Sequence, residues 1–228
     1  MEQGSREWLA ERIGRVTSTS AKVIINPRAT PAGRLSLMGQ LVREVATADY
    51  KDVPTTFWMR HGREMEPEAI AAYVLHTGRH VSAGGFSISS RSDLLGDSPD
   101  GIVGFYNGCI EAKCPDADNH GITLVKQAPY DDAYLWQMAW HVMVGEVDWC
   151  DYVSYNATYP EHLRLFIKRY TLADFFPEIV KKGRKYKTKE DEPDTVITTA
   201  EQVAAAWQRV FDFETTYQQH LSRLGLTL

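Results

Sequence analysis

The sequence predicts an α/β fold: a single domain with a central mixed β-sheet flanked by helices. Three observations carry this expectation. The chain has 228 residues, 43% hydrophobic and 24% charged, enough for one large domain with a substantial core. Helix-periodic blocks stand before and after a block of short strands punctuated by Gly, Asn and Asp. No internal repeat or Ser/Gly-rich linker divides residues 1–228, so a core over about residues 60–170 and a helical region over about 171–228 read as one unit.

In chain order, "RVTSTSA" (15–21) offers hydroxyls that cap a helix from about Ala21. "PAGRLSLMGQLVREVATA" has apolar residues at helical spacing and predicts a second helix from Pro31. "HGREMEPEAIAAYVLHTG" predicts a helix from near Gly62 to Gly78, with Glu66, Ile70 and Tyr73 on one face. From Gly84 to Pro115 the texture is that of an antiparallel meander, with "YNG" (106–108) as a hairpin connection. "YDDAYLWQMAWHVMVG" is a buried helix, and "WCDYVSYN" and "LRLFIKRY" complete the sheet. The remainder reads as helical, from "LADFFPEIVKKG" through a basic loop and "EDEPD" to "AEQVAAAWQRVFDFETTYQQHLSRL".

Composition excludes some classes. No apolar run approaches the roughly 20 residues that span a bilayer, and the N-terminus lacks a basic segment followed by an apolar one. The expectation is a cytoplasmic protein with no membrane partner. Three cysteines make no paired disulfide framework. Cys109 and Cys114 have no second Cys or His pair to complete a tetrahedral metal site. A net charge of -5 argues against a general nucleic-acid binder. Local balance differs: residues 1–47 hold seven Lys or Arg against four Asp or Glu, and "KKGRKYKTK" (181–189) holds six basic residues and no acid. Such patches beside an acidic metal site suit a polyanionic substrate.

The chemistry concentrates in "DSPDGIVGFYNGCIEAKC" (97–114). On adjacent strands Glu111 and Lys113 share a face, while Ala112 points the other way. Asp100, at the turn before the first strand, can be returned towards Glu111. Two neighbouring carboxylates repel unless a cation or proton lies between them, and Mg²⁺ takes such oxygen donors. The competing reading is a surface hairpin with a weak cross-strand ion pair. Acids that interrupt otherwise apolar strands favour the site. Asp97 reads as a turn former.

"SPDG" followed by "IEAKCP" resembles the Asp, then Glu-x-Lys signature of the PD-(D/E)XK nuclease superfamily, specifically the bacteriophage lambda exonuclease (YqaJ-like viral recombinase) family. "EWLAERIGRVTSTS", "HGREMEPEA" and "AYLWQMAWHVMV" resemble further segments of that family in the same order. The resemblance implies a restriction-endonuclease-like fold. It implies a Mg²⁺-dependent 5′-to-3′ exonuclease that digests linear double-stranded DNA to 5′-phosphomononucleotides, leaving a 3′ single strand for recombination. Two Mg²⁺ ions, with Mn²⁺ as substitute, are then held by Glu66, Asp100, Glu111 and the Ala112 carbonyl, and Lys113 and Gln137 act in catalysis. For Glu66 the alternative is an inward salt bridge, and for Tyr134 core packing weighs equally with function. His141 stands where the superfamily pattern places tyrosine, and packing or solvation is its default. Phosphate contacts after the motif fall to Asn119, His120 or Lys126, or are absent.

Arg12 and Thr19, with Thr17 and Ser18 beside them, are implied as a pocket for the terminal 5′-phosphate; Arg15 either assists or faces solvent. Without the resemblance these residues would simply cap a helix. A homotrimeric ring and a single-strand annealing protein are the implied partners. The alternatives are a restriction-like or repair endonuclease on the same fold and a catalytically inactive DNA-binding protein. A cluster-bearing nuclease would need a fourth cysteine.

Overall fold

The computed structural model describes residues 4–50, 56–185 and 192–228. Residues 186–189 of the basic run, and 190–191 of "EDEPD", lie outside them. Helix α1 (Arg6–Arg12) starts at Ser5, whose hydroxyl accepts from Trp8 N at 3.1 Å. A 3₁₀ turn (Ser18–Ser20) leads into α2 (Ala21–Ile24). Helix α3 (Pro31–Thr47) has Pro31 at its first position, where no amide partner is needed, and Thr30 as its cap.

Helix α4 (Phe57–Thr77) begins five residues before the predicted Gly62. Phe57, His61 and Met65 recur every fourth residue along one stripe, so the helical pattern continues through the glycine at a cost of about 1 kcal/mol. Gly78, at φ 67°, ends it as expected.

Strands β1 (Ser82–Ala83), β2 (Ser87–Ser89), β3 (Ser92–Asp97), β4 (Gly101–Val103) and β5 (Gly108–Lys113) follow. They do not make one meander. The five-stranded sheet has the order β1-β4-β5-β6-β7, with β6 (Trp149–Tyr155) and β7 (Leu165–Tyr170), while β2 and β3 form a separate pair, β3 also bridging to Val16 through Leu95. At the point of departure Gly84 lies against the Pro99 carbonyl, where a Cβ would stand 1.9 Å from the oxygen. Pro99 itself has no amide for a ladder. The β4–β5 connection is a 3₁₀ turn closed by Asn107 in the left-handed region, φ 47°, at the predicted "YNG".

β5 and β6 run parallel and all other neighbours in this sheet antiparallel, which makes the sheet mixed. Parallel pairing requires a crossover, supplied by α5 (Ala117–Lys126) and α6 (Ala133–Val144). Alternation along β5 sends Ile110 and Ala112 to the core beneath α4, with Ala69 and Tyr73, and Cys109 to the α6 side, with Met138 and Val142. Every residue of β6 is buried.

The segment predicted as the helix "LADFFPEIVKKG" is instead a single turn, α7 (Leu172–Phe175), followed by β8 (Ile179–Lys181), which pairs with β9 (Thr195–Ile197). Pro177 ends the helix, and the β-branched Ile179 and Val180 favour the extended form that follows. Helix α8 (Thr199–Arg223) starts at a Thr198/Glu201 capping box and buries Ala206, Val210, Phe213, Tyr217 and Leu221 against α2 and α3. No helix among the described residues is long and apolar enough to cross a membrane.

Candidate active site

The C-terminal end of the parallel strand β5 opens into a cavity of about 500 Å³. Parallel strands commonly present ligands at this end. Its walls include Glu66 from α4, Asp100, Ala112 and Lys113, Gln137 and Tyr134 from α6, and Arg12, Ser18 and Thr19 from the N-terminal segment. The fold thus brings most of the sequence-predicted site residues together from five separate stretches of chain.

Strand pairing positions the acids. Asp100 N donates to Ile110 O at 3.2 Å, and the Asp100 carboxylate accepts from Ala112 N at 2.8 Å, which pins it at the open end of the β4–β5 pair. Glu111 is fully buried, and its neighbour along the same face, Lys113, is hydrogen-bonded to its Oε1. The Lys113 Nζ lies 4.0 Å from Asp100 Oδ2 and 5.0 Å from the Tyr134 ring centroid. Tyr134, held by Tyr130 through a 2.7 Å hydroxyl contact, therefore forms a wall beside the amine.

The electrostatics follow from crowding. Burial pushes the Asp100 carboxyl up to about 7, with Glu111 adding to the rise and Lys113 opposing it. Burial likewise raises Glu66, which Lys113 lowers and Glu111 raises. Burial alone would raise Glu111 too, but Lys113 and then His141 outweigh it and hold that carboxyl at about 2. Lys113 is raised because the Glu111 and Asp100 carboxylates overcome its own burial.

Among the described residues no three acidic, histidine or cysteine groups already converge as a metal cluster, and the Lys113 amine is the cation between the two acids. The donor chemistry nevertheless fits a hard divalent ion. Asp100 and Glu111 are oxygen donors, Glu66 lines the same cavity, and burial of like charges leaves an unmet demand for positive charge.

At the far wall Arg12 is buried, stacks 4.1 Å from the Trp8 ring and donates through Nη2 to Thr17 Oγ1 at 3.1 Å. Thr17 Oγ1 in turn lies 3.0 Å from Thr19 Oγ1. The Arg12 Nε is buried without a hydrogen-bond partner among the described residues. A buried guanidinium donor left unmatched beside hydroxyls is a suitable anion receptor. Arg15 is not brought to this cavity: it donates to the Asp93 and Glu11 carbonyls at 2.7 and 2.5 Å and pairs with the Glu11 carboxylate.

Of the three residues considered for phosphate contact after the motif, only Asn119 lines the cavity. His120 is buried against Ser154 Oγ and Leu163 O, each at 2.8 Å, and Lys126 binds Pro129 O and Asp132. Asp97 is not a turn former. It ends β3, is buried, and its Oδ1 lies 2.7 Å from His141 Nδ1. The other ring nitrogen, Nε2, is 2.8 Å from Glu111 Oε2. His141 is thus packed, as its default reading had it, but bonded to the acidic cluster. The available signal was a pair of ionisable residues set within apolar runs, "LLGD" and "MAWHVMV".

A mixed sheet carrying Asp100, Glu111 and Lys113 at the end of its parallel pair has the restriction-endonuclease-like nuclease fold. The chain belongs to the YqaJ-like viral recombinase family, whose domain model matches residues 7–148. Among solved structures it is similar to an alkaline exonuclease, LHK-Exo, from Laribacter hongkongensis, at 27% identity and TM-score 0.75, covering 97% of this chain and 96% of that one. The same enzyme in complex with dAMP gives 25% identity and TM-score 0.74, covering 96% of each chain. A phage-related exonuclease from Haemophilus somnus 129PT, 14% identical over 92% of this chain and 96% of that one, shares the fold at TM-score 0.63. No curated protein sequence matches the chain.

Proposed function

We propose that the protein is a Mg²⁺-dependent exonuclease that degrades linear double-stranded DNA from 5′ ends and leaves a 3′ single strand for recombination by annealing. One observation carries the reading: a single cavity joins the Asp100, Glu111 and Lys113 cluster to the buried Arg12 and Thr17 and the exposed Thr19 beside them. The first group suits phosphodiester hydrolysis and the second suits a terminal phosphate. The family and the alkaline exonuclease likeness support the nuclease class.

Asp100, Glu111, Glu66 and the Ala112 carbonyl would hold the ions. When bound, hard divalent ions supply Lewis-acid charge and a water of lowered pKa. Lys113 offers positive charge to the attacking water or the departing oxygen, and Gln137 orients the scissile phosphate. Partnership with a single-strand annealing protein and assembly as a homotrimer around the duplex belong to the same reading.

The test incubates the protein with linear and covalently closed circular DNA. Mg²⁺ or Mn²⁺ should support loss of the linear form alone, Ca²⁺ should support little, and excess chelator should stop the reaction. Cutting of circles would mark an endonuclease, and binding without cutting an inactive DNA-binding protein. End recognition gives a second expectation. Linear DNA with 5′-phosphate should be degraded faster than DNA with 5′-hydroxyl, and Arg12→Ala should narrow that ratio by about tenfold, the worth of one charge-assisted hydrogen bond. Equal wild-type rates on both ends would leave Arg12 with a structural role.

A further inference from the structure

Asp97 and His141 are buried and take no part in the chemistry just described. We infer that His141, anchored by Asp97, is a positioning residue that holds the Glu111 carboxylate in one orientation, with Oε2 committed to the imidazole and Oε1, which Lys113 now engages, turned to the ion site. The inference rests on the reading of Glu111 as a metal ligand.

The imidazole is held on both edges. Both ring nitrogens of His141 lie against carboxylate oxygens, at 2.7 Å from Asp97 and 2.8 Å from Glu111. Each ring nitrogen thus has its own carboxylate partner, and a flipped ring would turn carbon atoms towards both acids. The anchor is itself confined. The other Asp97 oxygen lies against Gly145 at the end of α6, where a Cβ would stand 2.7 Å from it. One residue before His141, Trp140 Nε1 donates to Gly96 O at 3.0 Å and ties α6 to β3.

A continuous relay of β3, α6 and β5 thus ends on the carboxylate that must meet the ion. A free glutamate side chain has several rotamers, and an ion site built on it would have to select one. The Asp97–His141 pair makes that selection in advance. Partners of this kind, which orient a ligand without touching the metal, are commonly worth about 10- to 100-fold in metal affinity or activity.

Two substitutions separate positioning from packing. In His141→Gln the amide can replace Nε2 and still donate to Glu111; in His141→Asn it can replace Nδ1 and donate only to Asp97. Both leave one buried carboxylate without its partner, so a purely structural role predicts similar losses in each. Calorimetric titration of the metal-free protein with Ca²⁺ reads the site without turnover. Positioning predicts Ca²⁺ affinity near wild type in His141→Gln and about tenfold or more weaker in His141→Asn. In Mg²⁺ assays kcat should fall in the same order while KM for DNA holds.

Equal Ca²⁺ affinities in the two variants would overturn the inference. Should His141→Asn fail to fold by thermal melt, Asp97→Ala carries the test: it removes the imidazole's anchor without touching Glu111, and Ca²⁺ binding about as strong as wild type would overturn the anchoring role. A wild type that cleaves but shows no Ca²⁺ binding would instead overturn the reading of Glu111 as a ligand.

Discussion

Lys113→Ala is expected to slow digestion of linear duplex DNA by about 10²- to 10³-fold, the usual worth of one preorganised charge at a transition state, while DNA binding persists. The amine is placed for this. It is hydrogen-bonded to Glu111, lies 4.0 Å from Asp100 Oδ2 and faces the cavity beside Tyr134. Those carboxylates keep it protonated against its own burial, so it is a fixed positive charge. A bound divalent ion would compete with the amine for the same oxygens and free it towards the phosphate. The measurement is single-turnover cleavage alongside an equilibrium DNA-binding titration in Ca²⁺. A wild-type cleavage rate would remove Lys113 from the chemistry; loss of binding with loss of cleavage would assign it to substrate capture.

How far the site was legible from the sequence depended on sequence distance. Asp100, Glu111 and Lys113 lie within one short hairpin, where strand alternation alone settles which side chains share a face. Glu66 was legible through helical spacing from Ile70 and Tyr73. Asp97 and His141 were not paired, because 44 residues separate them and a local reading of "GDSPDG" makes the first acid a turn residue. Only the packing of α6 against β3 brings them together. Arg15 illustrates the reverse case. Three positions after Arg12, it follows the end of α1, so its guanidinium meets Glu11 and Asp93 rather than the cavity.

The fold shows the same division. Strands β5, β6 and β7 have β-branched or aromatic residues at core positions, and their texture was sufficient to place them. Strand partnership was not. Where β2 and β3 leave the central sheet, Gly84 lies close against the Pro99 carbonyl, a contact between two separate turns that no local pattern encodes. In "LADFFPEIVKKG" the information was present, since Pro177 forbids a continuous helix through it.

Asp100→Asn should have opposite effects on activity and on the metal-free fold. Asparagine retains an acceptor oxygen for Ala112 N, which Asp100 now engages at 2.8 Å, so the local backbone is preserved. It removes one of the charges that would hold the ions. Metal charge stabilisation is worth several kcal/mol, so cleavage should fall by about 10³-fold or more. Stability of the protein in chelator should rise. The Asp100 side chain is only 9% exposed, and burial is the largest influence raising its carboxyl to about 7, ahead of repulsion by Glu111. Near pH 8 the wild type carries that carboxylate ionised in an unfavourable place, which the amide relieves. The opposing loss is attraction from Lys113, which keeps Glu111 as its nearer partner. A gain of about 1 kcal/mol corresponds to roughly 2–4 °C in Tm for a chain of this length. Single-turnover cleavage reads the first effect, and melting curves in chelator and in Mg²⁺ read the second: the variant should melt higher than wild type without metal and gain less from Mg²⁺. A lower Tm in chelator would mean that the Lys113 pairing outweighs the burial of Asp100, and an undiminished response to Mg²⁺ would remove Asp100 from the ion site.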